Sequence, residues 1–545
     1  MSSIVELVPS NPSDNSEPQP PVHFAKVGMV VQSEGGPSFQ KLSILLEPDA
    51  EVRPGEFLAV WHGRRDKGDT LTVVQVDDCK EHNPNETPEL AHTRRALELG
   101  PVIANESSST RIFRVAVCKT VEDLSLGPDG SPLSEASAPE NLCRAGDAAV
   151  RLPGDMVTAA LGALGDPSQG LTLGTLLGTT STVTLSPEIL QLHIGIFGNP
   201  GKGKSYASGT IIEEMSDWDV PSIILDVNGE MVEAVKALGG TVISLPDKSR
   251  FGLALNKITG QELASITPQV DLGRQYAELI ESAHDALRTQ RIQDELRTGQ
   301  SEEITIDEIV DKVTQFGQSS RSSKQVSEIA IARVKRLKES RLIGPNFPFI
   351  AELKKNRLIC LDCRRLQLNE VRLVAAAAAR ELQSHGRNCA RRIEAGAPED
   401  GDEQWLSVLF IDEAHNIVPE GATTVTSNVL RELARMGRHS RTGLILASQS
   451  PADLDASILK RMQTRFIFAL ERDQLKSIGG VRSDLGDELV EALPKLGRGI
   501  CAVSGNGDQI RHGFMMKVRE RRTPIGGGTP PVFAGRTKRD GSARK

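Results

Sequence analysis

Aromatic side chains are scarce in this sequence: Phe, Trp and Tyr make up 3% of its 545 residues. Single-stranded nucleic acid is gripped by stacking bases on aromatic faces, so the scarcity argues against a stacking platform. Long apolar runs are missing too. No stretch approaches the roughly 18 unbroken apolar residues that a membrane helix needs. Met1–Pro21 is polar and Pro-rich, without the apolar core of a secretory signal. A cytoplasmic protein with no membrane partner is the expectation. Cysteines number seven, scattered at positions 79, 118, 143, 360, 363, 389 and 501. An odd count in a long chain points to reduced thiols, not a disulfide framework. Cys360 and Cys363 form a C-x-x-C, but no second pair and no His at ligand spacing accompanies them. They lie in an apolar, strand-like run, so a structural role is expected.

The chain is not a polycation either, since its formal net charge is -8. A nucleic-acid partner stays open, because what matters is where the basic residues lie. From Lys517 onward nine Lys/Arg face two Asp/Glu, giving the tail +7 and the remainder -15. The length suggests about two to four domains. Residues 1–20 read as a disordered leader. Residues 21–180 show short β-type runs (Phe24–Val31, Lys41–Leu46, Phe57–Trp61, Leu71–Val76, Ile112–Val117) split by Gly, Pro, Asp and Asn. That spacing predicts a small β-barrel or sandwich, ending after Leu171–Leu176. A helical stretch is expected around Leu90–Leu99 in between. Residues 181–522 alternate strand and helix, the rhythm of a parallel sheet covered on both faces. About four amphipathic helices interrupt that rhythm at residues 259–342. Residues 523–545 read as a flexible basic tail.

The chemistry concentrates in the α/β part. Gly198-Asn-Pro-Gly-Lys-Gly-Lys-Ser205 matches G-x-x-x-x-G-K-[ST], with an apolar strand before it and a helix after it. Glycines at 198, 201 and 203 let backbone N–H groups converge on phosphate without Cβ clashes. Gly198, Asn199, Pro200, Gly201, Lys202, Gly203, Lys204, Ser205 and Tyr206 are therefore the expected ATP-binding set. Lys204 is expected to reach the β- and γ-oxygens and Ser205 to coordinate Mg²⁺. Ser407-Val-Leu-Phe-Ile-Asp-Glu-Ala-His415 is an apolar strand ending in two acids. Asp412 is the expected Mg²⁺ partner, and Glu413 the general base that polarises the attacking water.

Two further positions fit the same sheet. Gln449 ends the run Gly443–Ser448, where an amide can sense the γ-phosphate. Asp226-Val-Asn-Gly-Glu230 places two acids at the carboxyl edge of the sheet, where ligands of such folds bind. Glu230 thus rivals Glu413 as base, although Asn228 with Glu230 also reads as an ordinary helix start. The segment Arg431–Arg441 carries four arginines between two core strands. Phosphoryl transfer gains about 10³–10⁵ from an arginine aimed at the γ-phosphate; a finger among these four would act on a neighbour's nucleotide in a ring, whereas any single one of them also reads as part of a basic, solvated helix face. His415 completes the letters D-E-A-H, but no second RecA-like half follows. The basic run Arg333–Arg341 reads equally as a DNA contact or a solvated helix face.

Taken in order, these features resemble the HerA branch of the HerA–FtsK ATPases over roughly residues 22–520. The resemblance rests on the small N-terminal β-barrel, His193-Ile-Gly-Ile-Phe-Gly before the P-loop, and Asp226-Val-Asn-Gly-Glu230. It continues through Ile411-Asp-Glu-Ala-His, Gly437-Arg-His and Ser448-Gln-Ser-Pro-Ala-Asp-Leu454. It implies a RecA-like P-loop core with a helical insertion behind a barrel used for assembly or docking. It also implies a homohexamer that moves double-stranded DNA with ATP and works beside a nuclease such as NurA, in end processing, repair or anti-phage defence. The alternative is an ATP-gated scaffold that assembles an effector enzyme with little translocation. By position in the motif, Arg438 is similar to the family's trans-acting arginine finger. Lys202 departs from the family's usual Thr-Gly-Ser-Gly and adds a cation beside the phosphates.

Overall fold

A computed structural model describes residues 24–32, 36–62, 69–82, 92–93, 95–97, 113–127, 137–164, 166–266, 274–299, 302–319, 324–478, 485, 487–505 and 509–526. The expected leader, half of the stretch Leu90–Leu99 and the tail beyond residue 526 lie outside them. The chain divides into two compact units, one built mainly from residues 1–165 and the other mainly from residues 183–484 and 492–545.

In the first unit, six antiparallel strands pair in a cycle. They are β1 (Ala25–Val31), β2 (Lys41–Leu46), β3 (Phe57–Trp61), β4 (Asp69–His82), β5 (Phe113–Leu126) and β6 (Ala148–Arg151). The order β1-β2-β5-β4-β3-β6 closes through β6 on β1, so the barrel exposes no strand edge. Val30, Leu42, Ile44, Leu58, Val60, Val74, Val76 and Ala116 fill the interior. β6 carries too short a run, Ala-Ala-Val-Arg, to stand out by alternation.

The second unit is built on an 11-stranded sheet. Its strands are β7 (Leu171–Leu176), β8 (Thr182–Leu185), β9 (Ile194–Phe197), β10 (Ser222–Asp226), β11 (Thr241–Ser244), β12 (Leu358–Asp362), β13 (Ser407–Ile411), β14 (Thr442–Ser448), β15 (Thr464–Ile467), β16 (Ile500–Gly505) and β17 (Phe514–Val518). The order is β11-β12-β10-β13-β14-β9-β15-β16-β17-β7-β8. From β11 to β15 neighbours run parallel, and β15, β16 and β17 pair antiparallel. Every residue of β9, β10, β12, β13, β14 and β15 is buried, as strands covered on both faces must be.

Leu171–Leu176, expected to end the barrel, belongs to this large sheet. Arg519 donates its backbone N–H to the Leu173 carbonyl at 2.9 Å. A partner some 340 positions downstream leaves no trace in local alternation. The insertion holds four helices, Gly260–Ile266, Gln275–Thr298, Ile306–Ser319 and Lys324–Arg336, between β11 and β12. Among the described residues no helix is long and apolar enough to cross a membrane.

The order β10-β13-β14-β9 decides what meets at the carboxyl edge. The loops after these four strands carry Asn228 and Glu230, then Asp412 and Glu413, then Gln449, then the P-loop. Sequence positions 250 residues apart thereby become neighbours at one switch point.

Candidate active site

The P-loop leaves β9 between two anchored strands. Gly198 donates its N–H to the Ser448 carbonyl at 3.3 Å, and Asn199 donates to Ala469 at 2.9 Å. Gly201 and Gly203 have φ of 76° and 122°, which a side chain resists. The helix Lys204–Asp217 begins at once, and no side chain caps it. Its first N–H groups and the positive end of its dipole are left for an anion. Ala207, Ile211, Ile212 and Met215 bury its inner face.

Lys204 is 5% exposed and its Nζ lies 3.1 Å from Glu413 Oε1 and 3.4 Å from Asp412 Oδ1. Glu413 Oε1 also accepts from Gln449 Nε2 at 2.6 Å and from Asn228 Nδ2 at 3.3 Å. Glu413 Oε2 faces His415 Nδ1 at 3.4 Å, and that nitrogen bonds Ser448 Oγ at 3.1 Å. Glu413 itself stands in the left-handed region, with φ 47° and ψ 46°. A non-glycine residue there stores about 1–3 kcal/mol of strain, which the surrounding bonds must hold.

Charge is unbalanced at this point. Burial works against the Lys204 ammonium, but Asp412, Glu413 and Glu230 outweigh it and hold its pKa above the ordinary value. Asp412 rises as well, to about 7, because it is buried and faces Glu413, Glu230 and Asp226, with only Lys204 opposing. Lys204 thus rises through the carboxylates around it, and Asp412 rises first through burial and then through the same carboxylates. A divalent cation fits that deficit: Asp412 Oδ2 is buried with no hydrogen-bond partner, and Ser205 lies on the first turn of the adjoining helix. Mg²⁺ held there would neutralise the β- and γ-oxygens of a nucleotide.

The structure thus brings Lys204, Asp412, Glu413 and Gln449 together. It separates the two acids of the loop after β10. Asp226 accepts four backbone N–H groups, from Gly229, Glu230, Met231 and Val232, at 2.7–3.1 Å. It is therefore a staple for the loop. Glu230 is half-buried within the electrostatic reach of Lys204 and Asp412. Lys202 turns away from the cradle, its Nζ donating to the Leu496 carbonyl at 3.4 Å.

Of the four arginines on the helix Val425–Ser440 and its cap, two are committed within the chain. Arg431 pairs with Asp455 at 2.5 Å, and Arg441 donates to the carbonyls of Asp402 and Glu403. Arg435 and Arg438, three positions apart, are exposed, and their side chains carry no ion pair or hydrogen bond among the described residues. In the insertion, Arg333 is 5% exposed and stacks on Tyr276 at 4.1 Å, so it is no contact surface. Lys338 pairs with Asp307 at 2.7 Å, which leaves Lys335, Arg336 and Arg341 exposed.

Some functional neighbours escape sequence reasoning. Asn228 touches Glu413, although its position also suits a helix start. His415, which completes the letters D-E-A-H, bonds the tip of β14. A strap after β17 crosses the P-loop helix. Arg521 donates its N–H to Tyr206 Oη at 2.6 Å and Nη1 to the Ser205 carbonyl at 3.2 Å. Buried Glu213 accepts from Arg519, Arg522 and Thr523 at 2.7–3.4 Å. Nothing in a local motif announces that strap.

Residues 171–382 match the family model described as "Helicase HerA, central domain", and residues 349–470 match that of the AAA ATPases. The core is a P-loop ATPase, and its residues 171–382 are similar to the HerA central domain. The "DNA double-strand break repair helicase HerA" of Sulfolobus acidocaldarius is 22% identical over 66% of this chain and 70% of its own length. Its counterpart from Sulfurisphaera tokodaii is 22% identical over 66% of this chain and 71% of its own length. Among solved structures, VirB4 of Thermoanaerobacter pseudethanolicus aligns with 65% of this chain and 97% of its own, at 18% identity and a TM-score of 0.47. The HerA central domain spans β7 through most of the helix Leu368–Glu394, so it takes in the P-loop, the loop after β10 and the whole insertion.

Proposed function

We propose that this HerA-type ATPase is an ATP-driven translocase or helicase acting on double-stranded DNA, in a ring of identical subunits, and we place it in the cytoplasm. The observation that carries the reading is the convergence of Lys204, Asp412, Glu413, Asn228 and Gln449 inside a HerA central domain. Each residue then has a task. The P-loop, from Gly198 to Tyr206, cradles the phosphates of ATP, with Ser205 and Asp412 holding Mg²⁺. Glu413 takes the proton of the attacking water, and Gln449 reports the γ-phosphate. Glu230 adjoins the cluster and tunes its charge. Arg438, exposed and unpaired, supplies the finger to the next subunit's nucleotide. Ring assembly, or docking of a nuclease or another effector, falls to the barrel unit, in DNA end processing or in defence. Backbone contacts make the DNA affinity fall steeply with salt and little with sequence.

A second reading is an ATP-gated scaffold for an effector enzyme. It is favoured by the three donors already on Glu413 Oε1, which describe a resting base. One experiment separates the two: displacement of a triplex-forming strand from linear duplex DNA by the wild type and by Lys204→Ala. ATP-dependent displacement by the wild type alone supports the motor. No displacement by either, with ring mass unchanged by ATP removal, rejects both readings.

A further inference from the structure

His193 is the residue before β9 and belongs to no catalytic cluster, yet its placement is unusual. Its φ is 64°, and it is 4% exposed. Both ring nitrogens are used. Nδ1 accepts from the Leu444 N–H on β14 at 3.0 Å, and Nε2 therefore carries the proton that Ala434 O receives at 3.1 Å. Its own carbonyl accepts from Thr464 N, at the start of β15, at 3.3 Å. Burial keeps the ring neutral, pushing its pKa down to about 4. Ala434 lies on the helix that displays Arg435 and Arg438. One turn on, Gly437 packs directly on the imidazole: a Cβ there would overlap Cε1, stand 2.7 Å from Nε2 and stand 3.0 Å from the Thr442 carbonyl.

We infer that His193 is a positioning residue, which sets the height and rotation of the arginine-bearing helix against the strand that leads into the P-loop. Three elements meet at one ring: β9, which leads into the subunit's own phosphate cradle, β14, which leads into Gln449, and the helix Val425–Ser440. A change at the cradle can thereby move the arginine offered to the neighbouring subunit. The inference rests on the trans-arginine reading above, and its test includes that reading as a separate arm.

The test uses four full-length variants: His193→Asn, Gly437→Ala, the pair combined, and Arg438→Ala. Asn tolerates the left-handed backbone. Its Oδ1 can replace Nδ1 as acceptor for Leu444, but it is too short to reach Ala434. Ala is the better helix former than Gly, so a loss of rate in Gly437→Ala reports steric displacement, by the ring first and the Thr442 carbonyl second, and not helix weakness. DNA-stimulated kcat should fall about 10- to 100-fold in both single variants, the range for a reacting group displaced by about 1 Å. The KM for ATP and the particle mass should stay within about twofold of wild type. In the pair, the imidazole that the added methyl would strike is gone, so kcat should match His193→Asn alone and not the product of the two losses. Singles within about threefold of wild type, while Arg438→Ala is impaired, overturn the positioning role and leave the finger standing. A KM that rises in step with lost thermal stability overturns it as merely structural. An unimpaired Arg438→Ala overturns the finger reading and this inference with it.

Discussion

Replacing Glu413, the proposed base, by Gln separates catalysis from binding. The amide is isosteric, so its carbonyl oxygen can take the Oε1 position and keep the bonds from Gln449, Lys204 and Asn228 at 2.6, 3.1 and 3.3 Å. What disappears is one negative charge. Two unit charges 3.1 Å apart attract by about 5 kcal/mol at an effective dielectric of about 20. Incoming phosphates must compete with that attraction for Lys204. Neutralising it should leave ATP affinity unchanged or raise it up to about tenfold, a gain of about 1.4 kcal/mol. Hydrolysis should meanwhile fall by about 10²–10⁴, the usual contribution of a positioned base. Fluorescent-nucleotide titration reads the first quantity and phosphate release the second. A kcat within about threefold of wild type would move the base to Glu230. A tenfold loss of ATP affinity would contradict the argument that Glu413 and phosphate compete for Lys204.

Lys202→Ser should change kcat by less than about threefold, because its Nζ bonds the Leu496 carbonyl and not the phosphate cradle; steady-state ATPase rates check this. Glu213→Ala should lower unfolding stability by about 1–3 kcal/mol, since the strap loses its buried acceptor while Arg519 keeps Glu214 and Arg522 keeps Asp217; the denaturant midpoint reads the loss. Stability should also depend on His193 and pH. Its folded pKa is about 4 against 6.5 for the free side chain, so the unfolded chain binds the extra proton. That contribution, about 3 kcal/mol, is complete above pH 6.5 and is lost as pH falls through 4. The decline in unfolding midpoint between pH 7 and pH 4.5 should therefore be shallower in His193→Asn.

What was legible in the sequence was local. The P-loop is eight consecutive residues, and its neighbours β9 and the following helix are set by adjacent apolar runs. β13 is apolar until Asp412, so the acidic tip declares itself. The parallel order was legible only as a rhythm, whereas the placement of β10 beside β13, which brings Asn228 to Glu413, depends on long crossovers. Direction was the least legible property. Lys202 lies inside the motif and points out of it, and Arg333 lies in a basic run and is buried on Tyr276. Both outcomes are decided by packing partners 57 or more positions away. β16, β17 and the strap that follows went unread for the same reason, although Glu213 depends on them. Cys360 and Cys363 of the C-x-x-C are buried free thiols on and just after β12, pushed far above the ordinary thiol range by burial.

The most direct measurement is ATP hydrolysis by the purified protein with and without linear double-stranded DNA, with particle mass recorded in the same buffer. A DNA-driven motor gives at least about tenfold stimulation by DNA, on a particle near six times 58.8 kDa, about 353 kDa. Slow hydrolysis indifferent to DNA, on a ring of the same mass, would contradict the motor and leave the gated scaffold in its place.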